Sequence, residues 1–456
     1  MRDFPTFDSR MTLMASFNRK PSNRKSSLLT RVTIVALIAA TACDTLRNPL
    51  NVEPASRIPA ALLETVGNAQ LLSDGAIADF ECAFNAYDYL GGMTGEEFIY
   101  EQQTASRTPY DRRTTTKDDA DYAVNACDAT NPGTYTSLQI ARQSNENLLA
   151  HLKLWSDADV AAGPGSPNRT NLMATAAAYA GYAEVLLGEG FCTMAISSVN
   201  LDKTLTYGGE IQRDSVFKLA IARFTEAIGF ATTAGNTSIQ YMATLGRARA
   251  KLDRGDYAGA KADALLIPAG YLKNVSASAT TTRRSNRIFL ENSANNRNLS
   301  VGPPYRTMGD ARVPVTATAL VSATGIVHYY QTKYPTQATP IPLATYEEAQ
   351  LIIAEADIRA NSLATALPIL DASRVRGGQG TGTFLGTTQP EYMAELIDQR
   401  RRELFAESQH LGDLIRFGIT PQPPASTAYH FGGTYGSQLC WPLPAAERLN
   451  NPLIGS

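Results

Sequence analysis

The chain has 456 residues, of which 44% are hydrophobic and 18% charged, and its formal net charge at pH 7 is -2. Residues 1–42 hold seven of the 41 basic and two of the 43 acidic side chains, so the remaining 414 residues carry 34 basic against 41 acidic groups. A negative balance disfavours nucleic acid as a partner, because neutralising phosphates requires clustered Lys and Arg. A chain of this length is sufficient for one large domain or two smaller ones with a substantial core.

The first 42 residues have the three-part layout of an export signal. Basic residues cluster within 19–31, an uncharged apolar stretch occupies 32–42, and this stretch ends in small residues just before Cys43. Eleven residues are too few for a membrane-spanning helix, which needs about 20 consecutive apolar residues. We therefore predict a cleaved signal peptide over 1–42.

Cys43 follows the small residues Ala40, Thr41 and Ala42. This arrangement resembles the bacterial lipoprotein box, in which the thiol is lipidated and becomes the mature N-terminus, although Ala40 stands where the box usually has Leu. Ordinary cleavage beside a chance cysteine is the alternative. One acyl chain holds a protein on a membrane only marginally, at about 0.8 kcal/mol for each buried CH₂, so the several chains of a lipoprotein would anchor it stably.

Four further cysteines remain once Cys43 is assigned to the lipid. In an exported chain an even number favours disulfides, but three connectivities are possible and four buried free thiols are the alternative. No two of them form a Cys-x-x-Cys pair, which disfavours zinc binding and thioredoxin-like chemistry. The candidates are Cys82, Cys127, Cys192 and Cys440.

Apolar residues recur at helical spacing through much of the chain, whereas strand-like alternation is scarce. Within 241–267, Gly-Asp-Tyr at 255–257 followed by Ala260 resembles the turn and second helix of a tetratricopeptide repeat. Such repeats are degenerate here and far apart, so we expect a helical scaffold with insertions, not a regular solenoid. The spacing predicts helices over 135–155, 172–187 and 215–230, and helical hairpins over 241–267 and 344–374.

Two aromatic-rich segments, 84–113 and 274–342, lack a helical period. Long irregular stretches inside a compact domain are usually functional or disordered, and aromatic content argues against disorder. We therefore interpret both as loop-rich insertions that carry a ligand surface. The candidate ligand-binding residues are Tyr100, Tyr110, Tyr305 and Tyr329, each of which could instead serve packing.

Motifs for catalysis are absent from the sequence. The histidines at 151, 328, 410 and 430 do not have the spacing of a zinc-hydrolase helix, and neither a Gly-x-Ser-x-Gly elbow nor a phosphate loop occurs. Glu347, Glu348 and Glu355 could in principle supply the two acids of a glycosidase, but carboxylates on a helix are usually solvated or paired with arginines. We predict no catalytic residues, no metal and no cofactor.

The densest charged segment is DQRRRELFAESQHLGDLIRFG, residues 398–418. On a helix, Asp398 would neighbour Arg402 and Arg400 would neighbour Glu403, and a remaining arginine could pair with a carboxylate of an adjacent helix. The segment resembles the C-terminal signature "ER..EL..EG.R..DL.R.G" of the SusD/RagB family of outer-membrane lipoproteins. Further landmarks of that family appear in order, as Cys43–Pro54, GDARV at 309–313, YEEAQLIIAEA at 346–356 and WPLPAAE at 441–447.

This resemblance implies a single mostly α domain over 43–456, with a tetratricopeptide-like scaffold and long irregular loops. It also implies a surface-anchored outer-membrane lipoprotein that binds a nutrient and delivers it to a SusC-like TonB-dependent transporter. A glycan is the favoured ligand, because sugar rings stack on aromatic side chains, and peptides or other small nutrients are alternatives. A periplasmic adaptor that binds protein partners and a lipoprotein glycosidase are the competing hypotheses. Asp44 would favour the inner membrane under one bacterial sorting rule, whereas the resemblance favours the cell surface.

Overall fold

The computed structural model describes residues 63–455 apart from 294–295 and 323–324, so Cys43 and the predicted signal peptide lie outside the described residues. Helices dominate the described chain. They are α1 Ala69–Thr94, α2 Thr108–Arg112, α3 Ala120–Val124, α4 Tyr135–Leu154, α5 Asp157–Ala161, α6 Arg169–Gly190, α7 Arg213–Ala234, α8 Thr237–Asp253, α9 Tyr257–Ala264, α10 Arg287–Asn292, α11 Tyr346–Arg359, α12 Leu363–Arg376, α13 Gln389–Glu403, α14 His410–Phe417 and α15 Ala445–Asn450.

The strands are short and form only two-stranded antiparallel pairs within the described residues. The pairs are β1 with β7, β2 with β5, β3 with β4, β6 with β10 and β8 with β9. Their bounds are β1 Phe98–Tyr100, β2 Thr193–Ala195, β3 Ser198–Val199, β4 Leu205–Thr206, β5 Glu210–Gln212, β6 Leu272–Val275, β7 Leu299–Val301, β8 Val315–Val321, β9 Val327–Gln331 and β10 Ile341–Thr345.

The long helices pack in series, from α1 through α4, α6, α7, α8 and α9 to α11. Small residues allow close approach, because a Cβ on Gly181 of α6 or Gly246 of α8 would collide with the ring of Phe224 on α7. The helices predicted over 135–155, 172–187 and 215–230 are confirmed, as are the two hairpins, which form α8–α9 and α11–α12. The fold is therefore the predicted mostly α scaffold of helical hairpins.

One predicted insertion begins later than expected. Residues 84–94 belong to α1 and are buried throughout, so the irregular character predicted for 84–113 is wrong for this part. The helical period is hidden there because a helix that is buried on every side has no polar face to alternate with its apolar one. The irregular region starts after α1 ends at Thr94 and contains only β1 and the short helix α2.

The loop-rich side of the molecule is tied together around β1 and β7, which pair Tyr100 with Leu299. The next strand, β9, lies beside them, since the Tyr329 N–H donates to the Ser300 hydroxyl at 2.8 Å. Asn292 at the end of α10 donates its side-chain amide to the Tyr329 carbonyl at 3.1 Å. The segment 274–342 is thus built of short strands and turns that side-chain amides and hydroxyls join.

Two disulfides link distant parts of the chain, Cys82–Cys127 and Cys192–Cys440. This pairing is one of the three connectivities that the sequence leaves open. Around the second bond the backbone is also paired, because the Trp441 N–H donates to the Gly190 carbonyl at 2.8 Å. The described residues fall within one compact unit, Ala61–Ser456, and none of its described helices combines the length and apolar character needed to cross a bilayer.

Candidate functional site

Three of the four candidate tyrosines, Tyr100, Tyr110 and Tyr305, belong to the hydrophobic core. Tyr110 is 2% exposed and packs edge-to-face on Trp441 at 5.5 Å. Tyr305 is fully buried and stacks on Phe405 at 5.1 Å. In this structure neither ring has a face open to a ligand, so we do not include them in the candidate site.

Tyr100 and Tyr329 both lie on the loop-rich side, on β1 and β9. The Tyr100 ring is 1% exposed, but its backbone N–H donates to Asp111 at 2.9 Å and its carbonyl lies 2.9 Å from Nε2 of His430. Tyr329 is half-buried, and the guanidinium of Arg306 lies 4.4 Å from its ring centroid. Tyr100 therefore contributes backbone to this region, whereas Tyr329 contributes a ring.

A hairpin loop over 426–435 supplies the remaining rings. Ser426 and Tyr435 pair through a backbone hydrogen bond of 2.9 Å, and the turn contains Gly432 and Gly433, which have φ angles of 94° and 74°. Positive φ angles of this size favour glycine because it has no Cβ. The tight turn projects the successive aromatic residues 429–431 onto one end of the hairpin.

We name the resulting set of side chains the loop cluster. It combines rings from the hairpin loop and from β9 with arginines from the end of α2 and from the turn after β7. Its members are Asp111, Arg112, Arg113, Arg306, Tyr329, Tyr429, His430, Phe431 and Tyr435.

The hairpin rings are packed on one another and on Arg113. Tyr429 and Tyr435 meet edge-to-face at 5.0 Å, and Arg113 lies 4.7 Å from the Tyr435 ring centroid. Phe431 is half-buried, and the side chain of His430, which contacts the Phe431 ring at 4.2 Å, is 22% exposed. The cluster thus has a rigid base of buried rings and a more accessible rim.

Arg306 is held at this rim with hydrogen-bonding capacity to spare. Its Nε donates to the Val301 carbonyl at 2.7 Å, while its Nη2 is buried without a hydrogen-bond partner. Burial lowers the pKa of the Arg306 guanidinium, and the nearby Tyr329 and Glu101 partly oppose that effect. A buried N–H that lacks an acceptor is costly, at roughly 1 to 3 kcal/mol, so a ligand oxygen at this position would be favoured.

The acidic groups of the region are already engaged within the protein. Glu101 lies 3.1 Å from Nδ1 of His328, and both side chains are fully buried. Asp111 accepts hydrogen bonds of 2.9 Å from the Tyr100 N–H and the Tyr429 hydroxyl. Burial nevertheless raises the pKa of Asp111 to about 7, although these hydrogen bonds and Arg113 act to lower it. Asp111 is therefore partly neutral near pH 7, which leaves the arginines to set the charge of the cluster.

A cavity of about 670 Å³ opens elsewhere, between α4, the β3–β4 pair and α15. Two of its side-chain amides donate within the protein, Gln139 to the Ala195 carbonyl at 2.8 Å and Gln143 to Asn147 at 2.7 Å, and what remains unpaired is an acceptor, Oε1 of Gln143. Among its described lining residues the aromatic one, Tyr135, is only 3% exposed. We prefer the loop cluster because it offers accessible rings together with an unsatisfied donor.

Comparisons with known proteins cover most of the loop cluster. The SusD family model matches residues 277–443, a range that contains six of its ring and arginine members, Arg306, Tyr329, Tyr429, His430, Phe431 and Tyr435. No curated protein matches the sequence. Residues 277–443 thus match the SusD/RagB family, in agreement with the resemblance seen in the sequence.

Solved structures of SusD proteins share the fold. A SusD superfamily protein from Bacteroides thetaiotaomicron has 13% identity and a TM-score of 0.66, over 86% of this chain and 99% of its own. A SusD superfamily protein from Bacteroides fragilis has 15% identity and a TM-score of 0.63, over 85% and 98%. Surface glycan-binding protein A from Bacteroides thetaiotaomicron, solved in complex with laminarihexaose, has 12% identity and a TM-score of 0.61, over 84% and 98%.

The SusD signature at 398–418 forms a buried ion-pair network. Arg402 pairs with Asp398 at 2.7 Å, as predicted. The predicted pair of Arg400 with Glu403 is wrong, because Arg400 points instead to Asp413 on α14, at 2.8 Å. This pair joins two consecutive helices, which spacing along one helix cannot reveal. Residues 398–418 therefore have a structural role, in which ion pairs join consecutive helices.

The sequence interpretation missed most of the loop cluster. His430 was considered only as a candidate for metal spacing, and neither Phe431 nor Arg306 was considered as a site residue. One signal was present, since YHFGGTY at 429–435 places four aromatic or imidazole rings around a Gly-Gly turn shortly before the SusD tail motif. Arg306 gives no comparable signal, because only the fold brings it to the Tyr329 ring.

Proposed function

We propose that this chain is a non-catalytic SusD-family lipoprotein of the outer-membrane surface that binds a carbohydrate at the loop cluster. The observation that carries the proposal is the combination of half-buried rings, Tyr329 and Phe431, with the unsatisfied guanidinium of Arg306. Sugars bind in this way because the apolar face of a pyranose packs on a ring while polar groups bond its hydroxyls. The glycan complex of the structurally similar surface protein from Bacteroides thetaiotaomicron supports the choice of ligand class.

Calorimetric titration of the purified mature chain with a panel of oligosaccharides tests this proposal. We expect at least one saccharide to bind, and Tyr329→Ala or Phe431→Ala to weaken its binding by roughly 5- to 10-fold, the loss expected for one ring contact. Tyr207→Ala is the matched control, since Tyr207 is 37% exposed and lies outside the loop cluster. Binding that responds to Tyr207 but not to the two cluster rings would place the site elsewhere.

We further propose that the captured ligand passes to a SusC-like TonB-dependent transporter and that lipid on Cys43 holds the chain at the membrane. The matched signature residues and the lipoprotein-like sequence around Cys43 support this. A Cys43→Ala chain is expected in the soluble fraction, and the wild type is expected to co-purify with a large β-barrel. Membrane-bound Cys43→Ala protein would contradict the anchor.

The absence of catalysis is part of the same proposal. A glycosidase requires two carboxyl groups placed on either side of one bond. Asp111 of the loop cluster instead accepts hydrogen bonds from Tyr100 and Tyr429, and the neighbouring Glu101 contacts His328. We expect no new reducing ends when the protein is incubated with the oligosaccharide that it binds. Their appearance, abolished by Asp111→Asn, would revive the glycosidase hypothesis.

A further inference from the structure

The charge of the loop cluster is unbalanced. Within the described part of the chain, no carboxylate oxygen lies within 4.0 Å of a guanidinium nitrogen of Arg112, Arg113 or Arg306. Arg112 and Arg113 donate instead to backbone carbonyls of the 423–436 segment, among them that of Thr434 at 2.8 Å from Arg112. These three arginines contact carbonyl oxygens and aromatic rings. Their positive charges are therefore less well neutralised than those of arginines in ion pairs.

The nearby acids offset these charges only in part. Glu101 is fully buried 3.1 Å from Nδ1 of His328, and it acts on Arg306 from beyond ion-pair distance. Asp111 is the acid beside Arg113, and its burial favours the neutral carboxyl. The cluster therefore carries three guanidinium charges against one carboxyl whose burial favours the neutral form, which leaves an excess of positive charge.

Arg306 provides the direct contact point for an anion. Its Nη2 is a buried donor without a partner, its Nε is fixed by the Val301 carbonyl, and its plane rests on the Tyr329 ring. Guanidinium groups bind carboxylate and sulfate-type oxyanions by parallel N–H donors, and such charge-assisted bonds are about twice as strong as neutral ones. A pre-positioned guanidinium loses little side-chain entropy on binding.

From this geometry we infer that the loop cluster selects an anionic glycan. Arg306 donates hydrogen bonds to a carboxylate or sulfate group of the sugar, while the sugar ring lies against Tyr329 or Phe431. This inference rests on the proposed carbohydrate-binding function and deepens it. A sugar carboxylate and a sugar sulfate both accept hydrogen bonds from a guanidinium, and the choice of probes distinguishes them.

The test uses matched pairs of oligosaccharides that differ only in charge. Trigalacturonic acid and its methyl ester form the carboxylate pair, and a sulfated galactose oligosaccharide and its desulfated form provide the sulfate pair. We expect the mature chain to bind at least one acidic probe about 10- to 100-fold more tightly than its neutral partner, the range for hydrogen bonds to a charged group. Which pair shows the difference identifies the oxyanion.

Variants assign the effect to Arg306. Arg306→Gln should abolish the preference for the acidic probe over its neutral partner, whereas Arg306→Lys should retain part of the preference because it keeps the charge. Arg254→Gln is the control, since Arg254 pairs with Asp214 on the helical side, at 2.7 Å. Thermal unfolding of each variant verifies that it is folded.

The outcomes separate the inference from the proposed function. Binding of neutral probes as tightly as acidic ones would overturn the inference and leave the carbohydrate-binding function standing. A preference for acidic probes that survives Arg306→Gln would also overturn it. Failure of every saccharide, neutral or acidic, would reject the proposed function together with the inference.

Discussion

The arginines of the C-terminal helices and those of the loop cluster have different partners. On α14, Arg416 is 7% exposed and contacts Glu355, Asp413 at 2.8 Å and Asp253 at 3.6 Å. In the loop cluster, Arg306 contacts a ring and one carbonyl. Paired buried charges hold helices in register, whereas an arginine that has no carboxylate partner within the protein is available to bind an anionic ligand. The difference separates a structural use of arginine from a functional one.

The largest expected effect tests that separation through stability. Arg416→Met should lower the free energy of unfolding by about 3 to 5 kcal/mol, because it removes a buried cation shared by three carboxylates. Glu355 and Asp413 then keep Arg359 and Arg400, whereas Asp253 loses its ion pair. Arg306→Gln should cost less than about 1 kcal/mol, since it removes mainly a cation–π contact. Urea denaturation followed by circular dichroism measures both. Equal losses in the two variants would contradict the comparison.

The two disulfides provide the next comparison. Cys192–Cys440 spans 248 residues and closes the chain just after the loop cluster, whereas Cys82–Cys127 spans 45. Loop-closure entropy predicts that removing either bond costs about 2 to 5 kcal/mol, and that the longer loop costs about 1 to 2 kcal/mol more. The double variants Cys192→Ala with Cys440→Ala and Cys82→Ala with Cys127→Ala, compared by denaturation, test this. A larger loss for the shorter loop would show that native packing, not chain entropy, decides.

The acids of the two regions should respond to pH in opposite directions. Burial raises the pKa of Asp111 to about 7, so the folded state holds its proton more tightly and stability is lost as the pH rises from about 4 to 7. Burial also opposes ionisation of Asp413, but Arg400 and Arg416 outweigh it and lower its pKa to about 2. Its contribution is therefore present above about pH 4 and is lost as the pH falls toward 2.

Neutral substitutions isolate these contributions. Asp111→Asn imitates the protonated acid, so it should be close to neutral in its effect at pH 3 and more stable than the wild type at pH 8, by about 1 to 3 kcal/mol. Asp413→Asn should destabilise by a similar amount at pH 7 and approach the wild type near pH 2. Urea titrations at each pH measure the differences, in which all other titrating groups cancel. Parallel pH profiles for the two variants would refute the assignment.

The sequence predicted the helical scaffold well and the site poorly, for a common physical reason. Helices such as α4 and α7 have one apolar face, and their period is visible in a single chain. The end of α1 is buried on all sides and shows no period, so residues 84–94 were misinterpreted. Aromatic side chains are more often buried in a core than used to bind ligands, and Tyr110 and Tyr305 are examples of this.

The loop cluster draws on positions 111–113, 306, 329 and 429–435, which are far apart in the sequence. Its defining property is that its arginines lack carboxylates, and this can be recognised only when all their neighbours are known. The C-terminal signature was recognisable for the opposite reason, since its residues are consecutive in the sequence, although Arg416 also pairs outside it with Glu355 and Asp253. Local patterns reveal the scaffold, and the tertiary structure reveals the site.

The smallest expected effect concerns the turn that positions Arg112. A Cβ on Gly433 would meet the guanidinium of Arg112, and the φ angle of 74° is unfavourable for other residues. Gly433→Ala should therefore cost about 1 kcal/mol of stability and displace a cation of the loop cluster without removing its charge. Gly209→Ala is the control, because nothing lies within 4 Å of its added Cβ.

If Arg112 contributes to anion selection, Gly433→Ala should weaken binding of the acidic probe by about 2- to 3-fold, as expected for a few tenths of a kcal/mol, and leave binding of the neutral probe unaffected. An equal loss of affinity for both probes would mean that the hairpin positions the rings of the loop cluster and that Arg306 alone recognises the negative charge of the ligand.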